Sequence, residues 1–255
     1  MKSIFITGAA AGIGRATAQR FAKEGWFVGL VDRDVAPLEA LHQELGKDNS
    51  SMHICDVTDI SSVNKAIGEF GEHTNEKMQV LFNNAGILRV GRFEEIDVAE
   101  HRKIVEINVI GAMNVLHAAF PMLKASKPSQ VINLSSASAV YGTPDFASYS
   151  ASKHAVRALT EALSIEWQEY GIHVCDLMPP FVNTEMVSSQ RAASPIISRM
   201  GVNLAASDIA EEAWRLTKKP TLHRPVTRIF RTAWPVARST PPMIMRTFMK
   251  TVAGR

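Results

Sequence analysis

The chain of 255 residues is poor in cysteine and lacks any long apolar stretch. Two cysteines are too few for a fold of this size to be stabilised by disulfides. No apolar run approaches the ~20 residues that span a bilayer. Cys55 and Cys175 lie in apolar runs without metal-ligand spacing, so we expect two buried, reduced thiols and no metal site. Residues 1–8 enter a strand-like run without a signal-peptide layout, which predicts a cytoplasmic protein.

Acidic residues are absent from the last part of the sequence. Glu212 is the last of them, and residues 213–255, which we call the basic segment, contain ten Lys and Arg. Residues 1–212 hold 18 basic and 25 acidic side chains, a net charge of −7, and the basic segment adds +10 to give the overall +3. No nucleic-acid-binding module accompanies this charge, so we expect no nucleic-acid partner.

The remaining composition and its pattern predict an α/β fold. Hydrophobic residues make up 46% and charged residues 21%, as is usual for a globular domain. Continuous apolar runs, typical of parallel strands buried on both faces, alternate with longer helix-period segments. The runs cover 3–7, 26–32, 51–56, 79–83, 130–135 and 172–178, and the helical segments cover 13–24, 35–46, 60–70, 98–124 and 149–171. This alternation predicts a doubly wound sheet in a single domain, 1–255, with a Pro-rich basic extension over 220–255.

Three glycines follow the first predicted strand. Gly8, Gly12 and Gly14 would allow a tight turn, close approach of a pyrophosphate and close packing of the next helix. The N-terminus of that helix, with Ala11 and Ile13, offers unpaired N–H donors to an anion. We therefore expect this turn to bind the phosphates of a dinucleotide.

Acidic residues end the second and third predicted strands. Asp32 lies 18 residues after Gly14, near the ~20 expected for the carboxylate that binds the ribose hydroxyls of NAD. It would repel the 2′-phosphate of NADP, whereas Arg33 beside it would attract that group, so we predict NAD and keep NADP as the alternative. Asp56, followed by Val57, is a candidate acceptor for the adenine amino group, with capping of the next helix as its other interpretation.

Another set of residues indicates proton transfer. Tyr149 and Lys153 are four residues apart, hence on one helix face, where an ammonium group favours the phenolate and lowers the pKa of the tyrosine. Ser136 lies near the end of the fifth strand, at the edge of the sheet where ligands bind, and its hydroxyl is suited to hold a substrate oxygen. Asn108 lies inside a predicted helix, where asparagine is unfavourable, which suggests a functional role.

Together these motifs resemble those of the short-chain dehydrogenase/reductase (SDR) family. The matches, in the family's order, are Thr7-Gly8-x-x-x-Gly12-x-Gly14, Asn83-Asn84-Ala85-Gly86, Asn108, Ser136, Tyr149-x-x-x-Lys153 and Pro179-x-x-x-x-Thr184. The resemblance implies a Rossmann-like, mostly seven-stranded parallel sheet and a homo-oligomer, either a tetramer or a dimer. It also implies an NAD(P)-dependent enzyme that interconverts a secondary alcohol and a ketone.

The resemblance implies a role for each matching residue. Tyr149 would be the general acid/base, and Lys153 would lower its pKa and bind the nicotinamide ribose. Ser136 would orient the substrate oxygen, and Asn108 would anchor a water in a proton relay. Residues at two strand ends would contact the cofactor: Asn84, Ala85 and Gly86 on its adenosine side, and Pro179, Val182 and Thr184 at its nicotinamide.

The sequence departs from the family's pattern at Pro180, where glycine is usual. Proline lacks an N–H and fixes φ, so we expect an altered loop beside the nicotinamide and an altered substrate pocket. The residues expected around that pocket are mostly apolar, and they predict a bulky apolar substrate of steroid-like, retinoid-like or aryl type. They are Ser138, Val140, Tyr141, Phe146, Pro180, Phe181 and Met186, followed along the chain by Ile196, Ile197 and Met200.

Two other functions stay open at this point. One is an NADP-dependent carbonyl reductase, and the other is a non-catalytic NAD(H)-binding redox sensor. A sensor needs only the glycines and Asp32, so the presence of Ser136, Tyr149 and Lys153 favours the enzyme. Residues 243–252 predict an amphipathic helix that would cap the pocket, contact another subunit or lie on an anionic membrane surface.

Overall fold

A computed structural model describes all residues, 1–255, and its centre is a seven-stranded parallel sheet. The strand order is β3-β2-β1-β4-β5-β6-β9, so the direction of strand addition reverses between β1 and β4. The strands of this sheet are β1 (Ser3–Thr7), β2 (Phe27–Asp32), β3 (Ser50–Ile54), β4 (Val80–Asn83), β5 (Ser129–Leu134), β6 (Ile172–Met178) and β9 (His223–Pro225). This arrangement confirms the predicted doubly wound α/β fold.

Helices cover both faces of the sheet. They are α1 (Gly12–Ala22), α2 (Val35–Leu45), α3 (Ile60–Thr74), α4 (Val98–Val105), α5 (Ala112–Ala125), α6 (Ala147–Glu166), α7 (Glu185–Ser188), α8 (Pro195–Met200), α9 (Ala206–Lys218), α10 (Arg228–Ser239) and α11 (Pro242–Ala253). One apolar core joins α1, α2 and α9 to the sheet, and a second joins α3 and α5 to its other face. Strand residues such as Ile4 and Phe5 alternate between these two cores, which is why the strand runs are apolar throughout.

The long helix that crosses the sheet contains an irregular turn. Residues Glu106–Gly111 form a π-helical turn between α4 and α5, so Val98–Ala125 is one continuous helical stretch. This stretch is long and apolar enough to cross a membrane, but Val115 and Ala119 are buried against the sheet and α3, as in a core helix. A π turn interrupts regular packing and is frequent at functional sites.

The basic segment begins inside the fold and ends on its surface. Its strand β9 pairs with β6 and becomes the seventh strand of the sheet. Two helices, α10 and α11, follow it, and α11 occupies the helix predicted over 243–252. A small separate pair, β7 (Val182–Asn183) with β8 (Leu204–Ala205), closes the excursion that contains α7 and α8.

Candidate active site

The carboxyl ends of β1, β4, β5 and β6 lie at one edge of the sheet and hold most of the predicted site residues. Because these strands are parallel neighbours, the loops that follow them meet at this edge. The glycine turn follows β1, the segment from Asn84 follows β4, Ser136 follows β5 and Pro179 follows β6. Residues that are more than 100 positions apart in the sequence are thus gathered into one cleft.

The glycine turn has the geometry of a phosphate cradle. Gly8 and Gly12 have φ of +68° and +53°, values that residues other than glycine rarely adopt. A Cβ on Gly14 would lie 2.0 Å from the carbonyl oxygen of Gly8, so only glycine allows α1 to start so close to β1. The helix begins at Gly12 without a side-chain cap, and its first N–H groups therefore lack partners within the chain.

Asn84 and Thr7 hold the turn against the end of β4. The Asn84 amide Nδ2 donates to the carbonyl oxygens of Thr7 at 2.8 Å and Gly8 at 3.1 Å. In return, the hydroxyl of Thr7 accepts from the backbone N–H groups of Asn84 and Ala85 at 2.9 and 3.0 Å. These four bonds give Asn84 a structural task at the floor of the cradle.

Asp32 lies beside the glycine turn, at the end of β2. Its carboxylate accepts from the backbone N–H of Ala10 at 2.9 Å and from those of Arg33 and Asp34 at 2.8 and 3.2 Å. These bonds fix the carboxylate next to the cradle. The Arg33 side chain is 56% exposed and lies 3.9 Å from a carboxylate oxygen of Asp34. Both groups predicted to select the cofactor therefore lie at the same end of the cleft.

Asp56 does not cap the helix that follows it. Its carboxylate accepts from the N–H and hydroxyl of Thr58 at 2.9 and 2.7 Å, and these bonds lower its pKa. Asp59 caps α3 instead, because its carboxylate accepts from the N–H of Ser61 at 2.9 Å. The exposed Asp56 is therefore left available as the predicted adenine acceptor.

Ser136, Tyr149 and Lys153 converge at the centre of the cleft. Tyr149 and Lys153 lie in the first two turns of α6, and the Lys153 Nζ is 5.6 Å from the centroid of the Tyr149 ring. Lys153 donates from Nζ to the carbonyl oxygen of Leu134, the last residue of β5, at 2.7 Å. Ser136 lies two residues further on, and its hydroxyl acts on the phenol of Tyr149 so as to lower its pKa. The carboxyl end of β5 therefore positions both Ser136 and Lys153 next to Tyr149.

Burial dominates the electrostatics of this centre. It raises the pKa of Tyr149 to about 12, against the opposing hydrogen bond from Ser136, and it lowers the pKa of Lys153 to about 8. The net shift at the tyrosine is therefore opposite to the lowering that was expected from Lys153. The physical reason is that burial disfavours the charged form of each group, the phenolate of Tyr149 and the ammonium of Lys153.

The π turn places Asn108 against the loop after β4. Its side-chain amide accepts from the N–H of Ile87 at 2.8 Å and donates to the carbonyl of Ile87 at 3.0 Å. The same Nδ2 donates to the hydroxyl of Ser152 at 3.0 Å, next to Lys153 on α6. A Cβ on Gly86 would lie 3.0 Å from Oδ1 of Asn108 and 3.7 Å from Nζ of Lys153. Asn108 thus connects the loop after β4 to helix α6.

The loop after β6 reaches across the cleft to the glycine turn. The carbonyl oxygen of Pro179 accepts from the N–H of Ala137 at 2.9 Å, which joins this loop to the Ser136 segment. The methyl group of Thr184 would lie 3.4 Å from a Cβ on Gly12. The N-terminus of α7 follows Thr184, whose hydroxyl makes no capping bond there. Its hydroxyl is therefore available to a ligand held between the two loops.

The predicted substrate residues divide into lining and supporting groups. Phe146, Ile196 and Ile197 are fully buried, so they support the pocket wall from behind and do not line it. Half-buried members of the set are within reach of a ligand, and two methionines are exposed. The half-buried residues are Val140, Tyr141, Pro180 and Phe181, the exposed ones are Met186 and Met200, and Ser138 is buried with its N–H donated to the Ser136 hydroxyl at 3.1 Å.

Residues of the basic segment lie beside the predicted substrate residues, in line with the option that the helix over 243–252 caps the pocket, although the sequence did not indicate which of its side chains would do so. Arg246, Lys250 and Arg255 line a cavity of about 330 Å³ between α11 and the segment that contains Tyr141 and Pro144. The positive φ of +65° at Asp145, a residue that is not glycine, marks the same segment. No local pattern in the sequence connects α11 to residues 141–145, because about 100 positions separate them.

Comparison with known proteins identifies relatives in sequence and in fold. A family model described as short chain dehydrogenase matches residues 2–195. A sulfoacetaldehyde reductase of Chromohalobacter salexigens is 32% identical over 225 residues, which cover 85% of this chain and 88% of that protein. A 3-ketoacyl-(acyl-carrier-protein) reductase from Brucella melitensis, solved with NADH, superposes with a TM-score of 0.79 at 29% identity and covers 88% of this chain and 95% of its own. An alcohol dehydrogenase from Thermococcus sibiricus, solved with 5-hydroxy-NADP, gives 0.77 at 27% identity, with 88% and 94% covered.

Proposed function

Because this chain belongs to the short-chain dehydrogenase/reductase family, and is therefore an oxidoreductase of alcohol- or ketone-type substrates, we propose that it is NAD-dependent and acts on a bulky apolar secondary alcohol or ketone. The observation that supports this most directly is the convergence of Ser136, Tyr149 and Lys153 beside an apolar wall at the edge of the glycine cradle. The protein is proposed to act in the cytoplasm as a homo-oligomer, a tetramer or a dimer.

The residues around the glycine turn fit a dinucleotide. Gly8, Gly12 and Gly14 leave a cradle that side chains would fill, and the free N–H groups of α1 face it. Asp32 would accept from the ribose hydroxyls at the adenosine end, and Thr184 would bind the carboxamide at the other end. When bound, NAD supplies the acceptor or donor of the hydride. NAD is preferred to NADP because the carboxylate of Asp32 would repel a 2′-phosphate.

Tyr149 is the group proposed to move the proton. With its pKa at about 12, the phenol holds its proton at neutral pH and is able to donate it to a carbonyl oxygen. The Ser136 hydroxyl acts on this phenol and would hold the same substrate oxygen. Lys153, anchored on the carbonyl of Leu134, lies where its ammonium would stabilise the negative charge left on the phenolate.

The proposed substrate class follows from the side chains around Tyr149. Tyr149 packs against a cluster that contains Leu88, Phe146 and Val187, with Phe181 at a ring-centroid distance of 5.5 Å from Phe146. An apolar substrate that binds against such a surface is removed from water together with the surface, and this burial stabilises the complex. The reductases and the alcohol dehydrogenase found among the relatives have names that differ in substrate, so the pocket of this chain has to decide the question.

A panel assay with two tyrosine variants tests the proposal. Cofactor absorbance would be followed with bulky apolar and with small polar alcohols and ketones, each with NAD(H) and with NADP(H). We expect turnover of the apolar compounds with NAD(H). Tyr149→Phe should abolish turnover and leave NADH binding nearly unchanged, because it removes only the hydroxyl. Tyr170→Phe, which changes a tyrosine beyond the end of α6, is the matched control and should behave like the parent protein.

Each component of the proposal has an outcome that contradicts it. Faster turnover of polyols or small aldehydes would contradict the apolar substrate class. Turnover with NADP(H) alone would mean that Arg33 overrides Asp32. Tight NADH binding without turnover of any compound would favour the non-catalytic sensor.

A further inference from the structure

Helix α6 carries two further charged residues beyond Tyr149 and Lys153. Arg157 lies four residues after Lys153, and Glu161 lies four residues after Arg157, so they continue the row of side chains on this side of the helix. The Arg157 side chain is only 17% exposed, although arginine is usually found in contact with water. A guanidinium this far removed from water needs partners within the chain.

One partner of Arg157 is the turn that follows Ser136. Nη1 of Arg157 donates to the carbonyl oxygen of Ala139 at 3.1 Å. Ala139 is fully buried, so water cannot reach this carbonyl and the arginine supplies its donor. Ala139 ends the short 3₁₀ turn Ala137–Ala139, which begins directly after Ser136. Arg157 therefore holds the far end of the turn that starts at the serine.

This turn sets the position of the Ser136 hydroxyl. Within it, the N–H of Ser138 donates to the Ser136 hydroxyl at 3.1 Å, and the N–H of Ala139 donates to the Ser136 carbonyl at 3.0 Å. The first of these bonds orients the hydroxyl directly, because it occupies one of the two acceptor positions of the oxygen. A displacement of Ala139 would therefore change the direction of the serine hydroxyl.

Two cations of α6 anchor the backbone on both sides of Ser136. Lys153 donates to the carbonyl of Leu134, two residues before the serine, at 2.7 Å. Arg157 donates to the carbonyl of Ala139, three residues after it. Both anchors belong to the helix that also carries the proposed general acid/base. The serine is thus held in register with that helix from two directions.

Arg157 is itself held by a series of polar side chains. Its Nε donates to Oε1 of Glu161 at 2.9 Å, and Nε2 of His223 lies 3.1 Å from the same oxygen. Nδ1 of His223 lies 3.0 Å from the carboxylate of Asp176, whose side chain is fully buried. These residues come from α6, β9 and β6, so three elements of the fold fix the direction of the guanidinium.

The basic segment supplies two of the groups around Arg157. Trp234 of α10 has its ring centroid 4.9 Å from the guanidinium carbon of Arg157, a distance at which an aromatic ring attracts a cation. The same ring lies 5.6 Å from the ring of His223, which also belongs to this segment. The end of the chain therefore packs on an arginine that bonds the turn after Ser136.

We propose that Arg157 is a positioning residue for Ser136. The basic segment keeps the arginine in place through His223 and Trp234. Arg157 acts on the serine through the turn Ala137–Ala139 and not on the substrate. Loss of its guanidinium would free this turn and let the serine hydroxyl rotate away from the substrate oxygen. The effect on catalysis rests on the proposed function, whereas the effect on the turn does not.

Hydrogen exchange tests the effect on the turn without any substrate. We expect the backbone amides of residues 137–140 to exchange at least about tenfold faster in Arg157→Met than in the parent protein, while β1 and α9 keep their rates. Arg215→Met is the matched control. Arg215 also pairs with a glutamate four residues away on its own helix, but it bonds only glutamates of that helix. This control should leave the rates of residues 137–140 unchanged.

A double-mutant cycle with Ser136→Ala tests the effect on catalysis. The substrate would be the alcohol or ketone that is turned over fastest in the panel described above. Arg157→Met should lower kcat at least about tenfold when the serine is present, and less than about twofold in the Ser136→Ala background. A merely structural role would lower kcat equally in both backgrounds. The affinity for NADH should stay near its parent value in every variant, because the glycine turn is held by other contacts.

Further variants separate this effect from a loss of folding. Arg157→Met/Glu161→Gln removes both charges of the ion pair, so it leaves no unpaired carboxylate, and it should reproduce both effects of Arg157→Met. Trp234→Ala should act in the same direction but more weakly. Trp234→Phe keeps an aromatic ring against the guanidinium and should restore the parent behaviour. Circular dichroism would establish that each variant is folded.

Three results would overturn the proposal. The first is exchange at residues 137–140 that stays at the parent rate in Arg157→Met. The second is an acceleration of exchange that is spread evenly over the whole chain. The third is an equal loss of kcat with and without the Ser136 hydroxyl. If no compound of the panel is turned over, the proposed function has failed, and the exchange rates still decide whether Arg157 holds the turn.

Discussion

The guanidinium of Arg255 contacts the carboxylate of Asp145, four residues before Tyr149. The Asp145 side chain is only 5% exposed, and its other oxygen accepts from the hydroxyl of Ser194 at 2.8 Å. Its backbone carbonyl accepts from the N–H of Gly91 at 2.9 Å. Asp145 therefore joins three segments around the substrate side: the loop after β4, the start of α8 and the end of α11.

Removal of this contact should change substrate binding more than chemistry. In Arg255→Ala, the buried carboxylate of Asp145 loses its charged partner, which costs on the order of 1 kcal/mol and loosens α11 and α8. We expect KM for the substrate to rise several-fold with kcat nearly unchanged, because Ser136, Tyr149 and Lys153 are held by β5 and α6. Steady-state kinetics with Lys219→Ala as the exposed control would check this, and a fall in kcat at constant KM would contradict it.

The glycine turn should not tolerate a methyl group at position 14. In Gly14→Ala, the Cβ would lie 2.0 Å from the carbonyl oxygen of Gly8, so the start of α1 has to move away from β1. We expect a loss of about 2 kcal/mol in the free energy of unfolding and weaker NADH binding. Gly68→Ala is the control, since a Cβ there meets no atom within 4 Å and helix α3 should gain stability. Equal effects of the two substitutions in urea titrations would refute the argument.

Asp32 should determine which dinucleotide binds. Asp32→Asn removes the charge that would repel a 2′-phosphate and keeps one of the two accepting oxygens, either the one that accepts from Ala10 or the one that accepts from Arg33 and Asp34. The ratio of NADH to NADPH affinity, measured by fluorescence titration, should fall at least about tenfold, a change of about 1.4 kcal/mol. Asp34→Asn changes the adjacent carboxylate, which makes no capping bond, and should leave the ratio near its parent value.

Lys153 should make stability depend on pH in the alkaline range. Burial lowers its pKa in the folded chain to about 8, so between about pH 8 and its unfolded value of 10.5 the unfolded chain binds more protons. The free energy of unfolding contributed by this group therefore rises with pH across that interval, by up to about 3 kcal/mol. Lys153→Met removes this dependence.

The test is the difference in stability between Lys153→Met and the parent protein. Denaturant titrations should show the variant to be more stable at pH 7, with the difference shrinking as the pH approaches 10.5. Lys65→Met, at an exposed position, should show no such trend. A constant difference across the range would mean that Lys153 is not desolvated in the folded chain.

Much of the fold and several site motifs of this protein can be predicted from short-range patterns in its sequence. The apolar runs predict six of the seven sheet strands within about two residues, because a strand buried on both faces has to be apolar throughout. The spacing of Gly8, Gly12 and Gly14, and the four-residue step from Tyr149 to Lys153, are likewise local. Such features depend on the geometry of one turn or one helix, which the sequence determines by itself.

The tertiary structure decided the rest, because the relevant contacts join distant positions. It placed the methyl of Thr184 over Gly12, anchored Lys153 on the carbonyl of Leu134 and closed Arg255 on Asp145. It also reversed the expected direction of the pKa shift at Tyr149, since burial depends on everything packed around a side chain and not on its neighbour four residues away. Periodicity predicts which residues share a face of a helix or strand, whereas tertiary packing alone determines how far each of them is removed from water.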